Sequence, residues 1–211
     1  MQLTSTNFAD GEAIPERCAF GVPDSVTHMS FGSNHSPQLS WSELPPGTRS
    51  LVVTCIDPDV PSVADNVNQE GRTIPADLPR VDFTHWVMVD VPPTLNGLDE
   101  GACSTGVIAG GKRDTPGPAG SRQGLNDYTG FMAGDPDMRG NYLGYDGPCP
   151  PWNDERLHHY RFTVYATDLD RCPVEGLFTT ADVLAAIDGH VLGEASLTGT
   201  YSLNPAVRDD A

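Results

Sequence analysis

Three short segments hold most of the side chains able to do chemistry. "DPDVPS" (Asp57–Ser62) carries two carboxylates, Asp57 and Asp59, on a chain stiffened by Pro58 and Pro61. His85 opens "HWVMVDV". "GYDGPCPPWNDERLHHYRFTVYATD" (Gly144–Asp168) sets Cys149 and Pro150 in a proline-rich loop and runs through His158 and His159 into Tyr160. Imidazolium, a tyrosine hydroxyl and loop amides all donate to phosphate or carboxylate oxygens. A carboxylate beside a histidine orients it and raises its pKa, keeping the donor charged nearer neutral pH. Two other chemistries share these residues. Asp57, Asp59, His85 and His158 form a common ligand set for a divalent metal, and Cys149 beside His158 has the composition of a nucleophile with its base. Taken singly, each segment also reads as ordinary structure: an Asp-Pro turn, an edge histidine, a rigid loop.

The elements that must position these residues read as strands. "SLVVTCI" (Ser50–Ile56) is a continuous, β-branched apolar run, as expected of a strand buried on both faces. "YRFTVYA" (Tyr160–Ala166) alternates, which puts His158, Tyr160 and Phe162 on one face and His159 and Arg161 on the other. The same parity places His85, at the start of its strand, with Val87, Val89 and Val91, and turns Trp86 the other way. The 22 glycines and 19 prolines fall between short apolar runs, the punctuation of a β-rich chain with many turns. The expected fold is mainly β, a two-sheet antiparallel sandwich. One helix is expected late, over Thr179–His190, with Thr180 as N-cap, Gly189 as its stop and packing on one end of the sandwich. Residues 63–83 and 112–141 are polar, rich in Gly, Pro and Asp, and read as loop insertions in one domain spanning 1–211.

Bulk properties narrow the partners. The net charge is −17 and the only lysine is Lys112, so nucleic acid is excluded as a partner, because counterion release needs clustered cations. No stretch of about 18 apolar residues occurs, which excludes stable membrane insertion. The N-terminus lacks a basic and apolar leader pattern, so a cytoplasmic location is expected. The five cysteines are widely spaced with no C-x-x-C pair and read as free thiols.

In order, the chain carries "SPQLSW", "LPPGTRSLVVTCIDPDVPS", "HWVMVDVP", "GYDGPCPP", "HHYRFTVYATD" and "GHVLGEASLTGTY". This set closely resembles the phosphatidylethanolamine-binding protein family, in particular its bacterial and archaeal, Raf-kinase-inhibitor-like branch. The resemblance implies a small anion pocket at one end of the sandwich, lined by Asp57, His85, the Cys149–Pro150 backbone, His158 and Tyr160, with Asp59 and Pro61 in support. It also implies a cis-proline at Pro150 or Pro151, no cofactor, and a non-catalytic protein. The ligand would carry a phosphate or carboxylate (a phosphomonoester or a phospholipid head group, not acyl chains). A regulatory role towards a kinase or protease partner, as monomer or homodimer, is part of the same expectation. The chain departs from the family where its usual arginine is His159, expected to cost an ion pair, and where "WNDER" replaces glycines before His158, expected to add bulk at the rim. The alternatives are a metal- or Cys149-dependent hydrolase and a protein-interaction module with a vestigial pocket.

Overall fold

The apolar run at Ser50 becomes the centre of the largest sheet. In the computed structural model, which describes residues 1–113 and 115–208, the strands are β1 (Gln2–Thr4), β2 (Gly21–Asp24), β3 (His28–Phe31), β4 (Leu39–Ser42), β5 (Ser50–Pro61), β6 (Arg80–Val91), β7 (Gly97–Leu98), β8 (Arg122–Gln123), β9 (His158–Thr167) and β10 (Val191–Tyr201). They form an antiparallel five-stranded sheet in the order β10-β9-β5-β6-β8, a three-stranded sheet β1-β4-β7 and a hairpin β2-β3. Leu51, Val53, Cys55, Trp86, Met88, Phe162 and Val164 of the large sheet pack against Leu3, Leu39, Trp41 and Leu98 of the smaller one. Burying each of the larger aliphatic side chains contributes about 1.5–3 kcal/mol.

The outer face of the large sheet is also covered, which is why the first half of β5 and the second half of β6 are largely apolar on both sides. Val52, Val87 and Val89 pack there against Val174 and Phe178 and against Val183 and Ile187 of the helix Thr180–Ile187. The expected helix is therefore present, but it lies on the face of the sheet rather than at its end. Its cap is one residue earlier than expected. Thr179 Oγ1 accepts from the Asp182 N–H (3.3 Å), and the Asp182 carboxylate accepts from the Thr179 N–H (2.9 Å), a reciprocal capping box.

The first stretch read as an insertion is shorter than 63–83, because Arg80 already opens β6. His85 thus sits inside a strand, not at its start. Asn153 fastens the remaining loop: its Nδ2 donates to the carbonyls of Asn66 (2.8 Å) and Arg72 (3.0 Å), and its Oδ1 accepts from the Asn68 N–H (3.0 Å). The second stretch, 112–141, supplies the edge strand β8 and the short helix Tyr128–Phe131.

Candidate functional site

A cavity of about 260 Å³ opens where β5, β6 and β9 meet the proline loop. Its base is formed by Asp57, His85, His158 and Tyr160, its wall by Cys149, Pro150 and Pro151, and its rim by Val60, Pro61, Ala64, Val67, Phe83, Tyr128 and Phe131. Both loop segments therefore border it, one through Ala64 and Val67, the other through Tyr128 and Phe131. The volume suits a small ligand or a head group.

His85 reaches the cavity because the sheet is irregular there. Cys55 pairs with Trp86 and Ile56 with Thr84, leaving His85 opposite no residue of β5. A one-residue bulge re-aims the side chain next to it. Strand parity, which put His85 with Val87 and Val89 on the outer face, fails at this point. Val91 leaves that face too, joining the inner core past a second shift between Leu51 and Val53. The His85 ring packs edge-on to Tyr160 (5.0 Å between centroids) and Tyr128 (5.6 Å). Its Nδ1 lies 2.8 Å from the Asp146 carbonyl, so Nδ1 carries the proton and Nε2 has no protein partner among the described residues. Burial lowers the His85 pKa against the pull of Asp57 and the Asp146 carbonyl, so the ring is neutral and Nε2 is an acceptor.

His158 is fully buried between two carboxylates. Nδ1 donates to Asp57 Oδ2 (2.7 Å) and Nε2 to Asp154 Oδ2 (3.2 Å). Burial would lower its pKa, but the hydrogen bonds and charges of Asp154 and Asp57 together hold it up to about 9. Behind it Arg80 clamps Asp154 through two bonds, Nη1 to Oδ2 (2.6 Å) and Nη2 to Oδ1 (3.0 Å). The cation at the cavity base is thus real, yet both of its N–H groups are already committed.

Asp59 is the one expected site residue that the structure places outside the cavity lining. A register shift between Asp57 and Val60 sets Pro58 and Asp59 against the single residue Asp82. The Asp59 carboxylate accepts from His159 Nδ1 (2.8 Å) and the His159 N–H (3.0 Å) and pairs with Arg156 Nε (2.7 Å). The ion pair expected to be lost at His159 is therefore kept, with Arg156 from "WNDER" supplying the guanidinium. Trp152 of the same segment stacks on His28 (4.0 Å) and is not among the lining residues.

The proline loop offers few donors. The Gly147 N–H goes to Asn34 Oδ1 (2.8 Å), prolines have none, and only the Cys149 N–H lacks an acceptor among the described residues. The expected cis-proline is not found: no described peptide bond is cis, those before Pro150 and Pro151 included. Burial pushes the Cys149 thiol up to about 12.

The Tyr160 hydroxyl, at a residue only 1% exposed, has no hydrogen-bond partner among the described residues. Burial, with the Asp57 charge, raises its pKa well above the ordinary phenol value, so it stays a donor. Orphaned buried polar atoms are rare in folded proteins, and this one sits at the base of the cavity.

Sequence reasoning missed Asp154, Arg80 and Asp146. Asp154 lies four residues before His158, and its acidic, loop-bound position carries no periodic signal. Asp146 underlies His85. Its carboxylate accepts from Asn34 (2.7 Å), Asn126 (2.8 Å) and Lys112 (2.9 Å). The one available signal was the position of the chain's sole lysine in the second loop segment, and with 29 acidic residues in the sequence it did not name a partner.

A two-layer antiparallel β fold with a small polar-based cavity at one end describes a class of binding protein. The phosphatidylethanolamine-binding protein family model matches residues 4–202, and the chain belongs to that family. It is 35% identical to a UPF0098 protein of Methanothermobacter thermautotrophicus, over 95% of this chain and 98% of that one. It is 32% identical to the UPF0098 protein YbhB of Escherichia coli, over 96% and 100%. The crystal structure of E. coli YbcL, described as a member of the mammalian family of these proteins, superposes with a TM-score of 0.68 at 29% identity, covering 95% and 97% of the two chains. A homologue from Chlamydia trachomatis gives 0.64 at 29% identity, covering 95% and 96%.

Proposed function

We propose that the protein is a non-catalytic binding protein whose cavity holds the phosphate- or carboxylate-bearing head of a small ligand. The orphaned Tyr160 hydroxyl carries this reading, because a buried donor without a partner is a cost unless a ligand satisfies it. The His158 imidazolium at the base supports an anionic head, and the rim of Val60, Val67, Phe83 and Phe131 suits the carbon substituent attached to it. The family's name refers to a phospholipid whose head contains a phosphate. Among the described residues no group of three or more metal-ligating side chains converges, and a thiol held near 12 leaves almost no Cys149 thiolate at neutral pH.

The test is a calorimetric titration with methyl phosphate near pH 6. Tyr160→Phe removes only the orphaned hydroxyl, so it leaves the melting temperature essentially unchanged while costing about 1.5 kcal/mol of binding, roughly tenfold in affinity. Equal binding by both proteins, or no binding to the wild type at millimolar ligand, would refute the assignment.

A further inference from the structure

We propose that the cavity selects an oxyanion that still carries a proton, the monoanion of a phosphate monoester, and rejects an isosteric anion without one, such as a sulfate ester, with Asp57 making the selection. This rests on the anion-binding reading above and specifies the ligand's protonation state.

The selection follows from the donors and acceptors that line the cavity. No lysine or arginine lines the cavity among the described residues. His158 has spent both N–H groups on Asp57 and Asp154, and Asp154 is matched by Arg80. His85 gives its proton to the Asp146 carbonyl and presents an acceptor. Among the described residues, the Tyr160 hydroxyl is the one buried side-chain donor of the lining without a partner; the Asn68 amide, exposed to solvent, is a second side-chain donor there.

Asp57 accepts from the Asp59 N–H at Oδ1 (2.8 Å) and from His158 at Oδ2 (2.7 Å). A carboxylate has about four lone-pair sites, so two remain unused on a side chain that lines the cavity. The titratable groups around it are Cys55 on β5, His85 on β6, His158 and Tyr160 on β9, and Tyr128 from the second loop segment. None is a free cation.

A fully deprotonated anion would set its oxygens against Asp57 and His85 Nε2 and gain in return only neutral donors, the Tyr160 hydroxyl, the Cys149 N–H and the exposed Asn68 amide, with no cation free to answer its charge. A monoprotonated phosphate satisfies both sides: its P–OH donates to Asp57, and an unprotonated oxygen accepts from Tyr160. A site built to accept a ligand proton rejects the analogue that lacks it strongly, because the buried acceptor is then left facing another acceptor.

The second pKa of a phosphomonoester is about 6, so the binding form declines about tenfold per pH unit above that. A sulfate ester keeps one charge throughout. Any pH slope it shows belongs to protein groups such as His85, and the phosphate-to-sulfate ratio removes that contribution.

The experiment is calorimetry on the wild type with methyl phosphate, methyl sulfate and ethanolamine between pH 5.5 and 8.5, repeated on Asp57→Asn. The expected result is a preference for methyl phosphate of at least about 100-fold at pH 6, falling about tenfold per unit above it. In Asp57→Asn, whose amide can donate, methyl sulfate gains affinity and the ratio shrinks towards unity. Affinities of the wild type for the two esters within threefold at pH 6, or methyl phosphate binding that tightens with pH, overturns the selection while leaving the anion site intact. Binding of neither ester overturns both readings, and binding of ethanolamine alone would assign the cavity to an ammonium. The wild-type ratio decides the matter even if Asp57→Asn fails to fold.

Discussion

The buried His158 makes stability depend on pH in a window where few other groups contribute. Its pKa is about 9 in the fold and about 6.5 in an unfolded chain. Because the folded value is raised, the native state holds one more proton than the unfolded state between the two. The stabilisation is complete below pH 6.5 and is lost as pH rises towards 9. The slope is at most about 1.4 kcal/mol per pH unit, and the whole difference is about 3 kcal/mol. His85, held low by burial, acts in the opposite sense and only below about 6.5. Burial pushes up all five thiols, Cys18, Cys103 and Cys149 to about 12, and they add losses as the unfolded thiols begin to ionise, about one pH unit below their ordinary pKa of about 8.5. Urea unfolding between pH 6.5 and 7.5 therefore isolates His158, and we expect stability to fall by about 1 kcal/mol across it. His158→Gln should remove that slope and cost about 3 kcal/mol at pH 6.5, because two buried carboxylates lose their shared cation. A wild-type protein equally stable at pH 6.5 and 7.5, or a variant that keeps the slope, would refute the reasoning.

Two further perturbations probe what supports the cavity. Lys112→Met strips Asp146 of its buried cation while Asn34 and Asn126 still donate to it. The expected cost is about 3 kcal/mol, a fall of roughly 6–12 °C in calorimetric Tm, and a change under about 2 °C would show the pair to be dispensable. Asn153→Ala releases the loop between β5 and β6 by deleting its bonds to Asn66, Asn68 and Arg72. Tryptic cleavage after Arg72 should accelerate about tenfold or more, and an unchanged rate would mean the loop is held elsewhere.

Much of the positioning framework can be read from residue types. Ser50–Ile56 is apolar at all but Ser50 and Thr54, themselves buried, because the sheet is covered on both faces. Tyr160–Ala166 alternates as its face pattern requires, so His158 and Tyr160 share the cavity and His159 does not. Both loop segments could be placed beside the site from their neighbours in the chain. The errors have specific causes. His85 escapes parity because a bulge adds one residue to β6, and a bulge leaves no mark in the side-chain pattern. Asp59 escapes for a related reason, the shift around Pro58. The helix cap moved by one because adjacent threonines offer the same hydroxyl, and only the reciprocal bond to Asp182 separates them.

The sequence by itself determined the three central strands, the late helix, the segments that border the cavity, and the absence of a basic excess. These follow from local periodicity and composition. Only the tertiary structure decided the electrostatics of "GYDGPCPPWNDERLHHY". There Asp154 and Asp57 close on His158 from opposite sides, Arg156 answers Asp59, the prolines withhold donors, and Tyr160 is left with its hydroxyl free. Which donor meets which acceptor depends on contacts between strands far apart in the chain, and no local rule counts those.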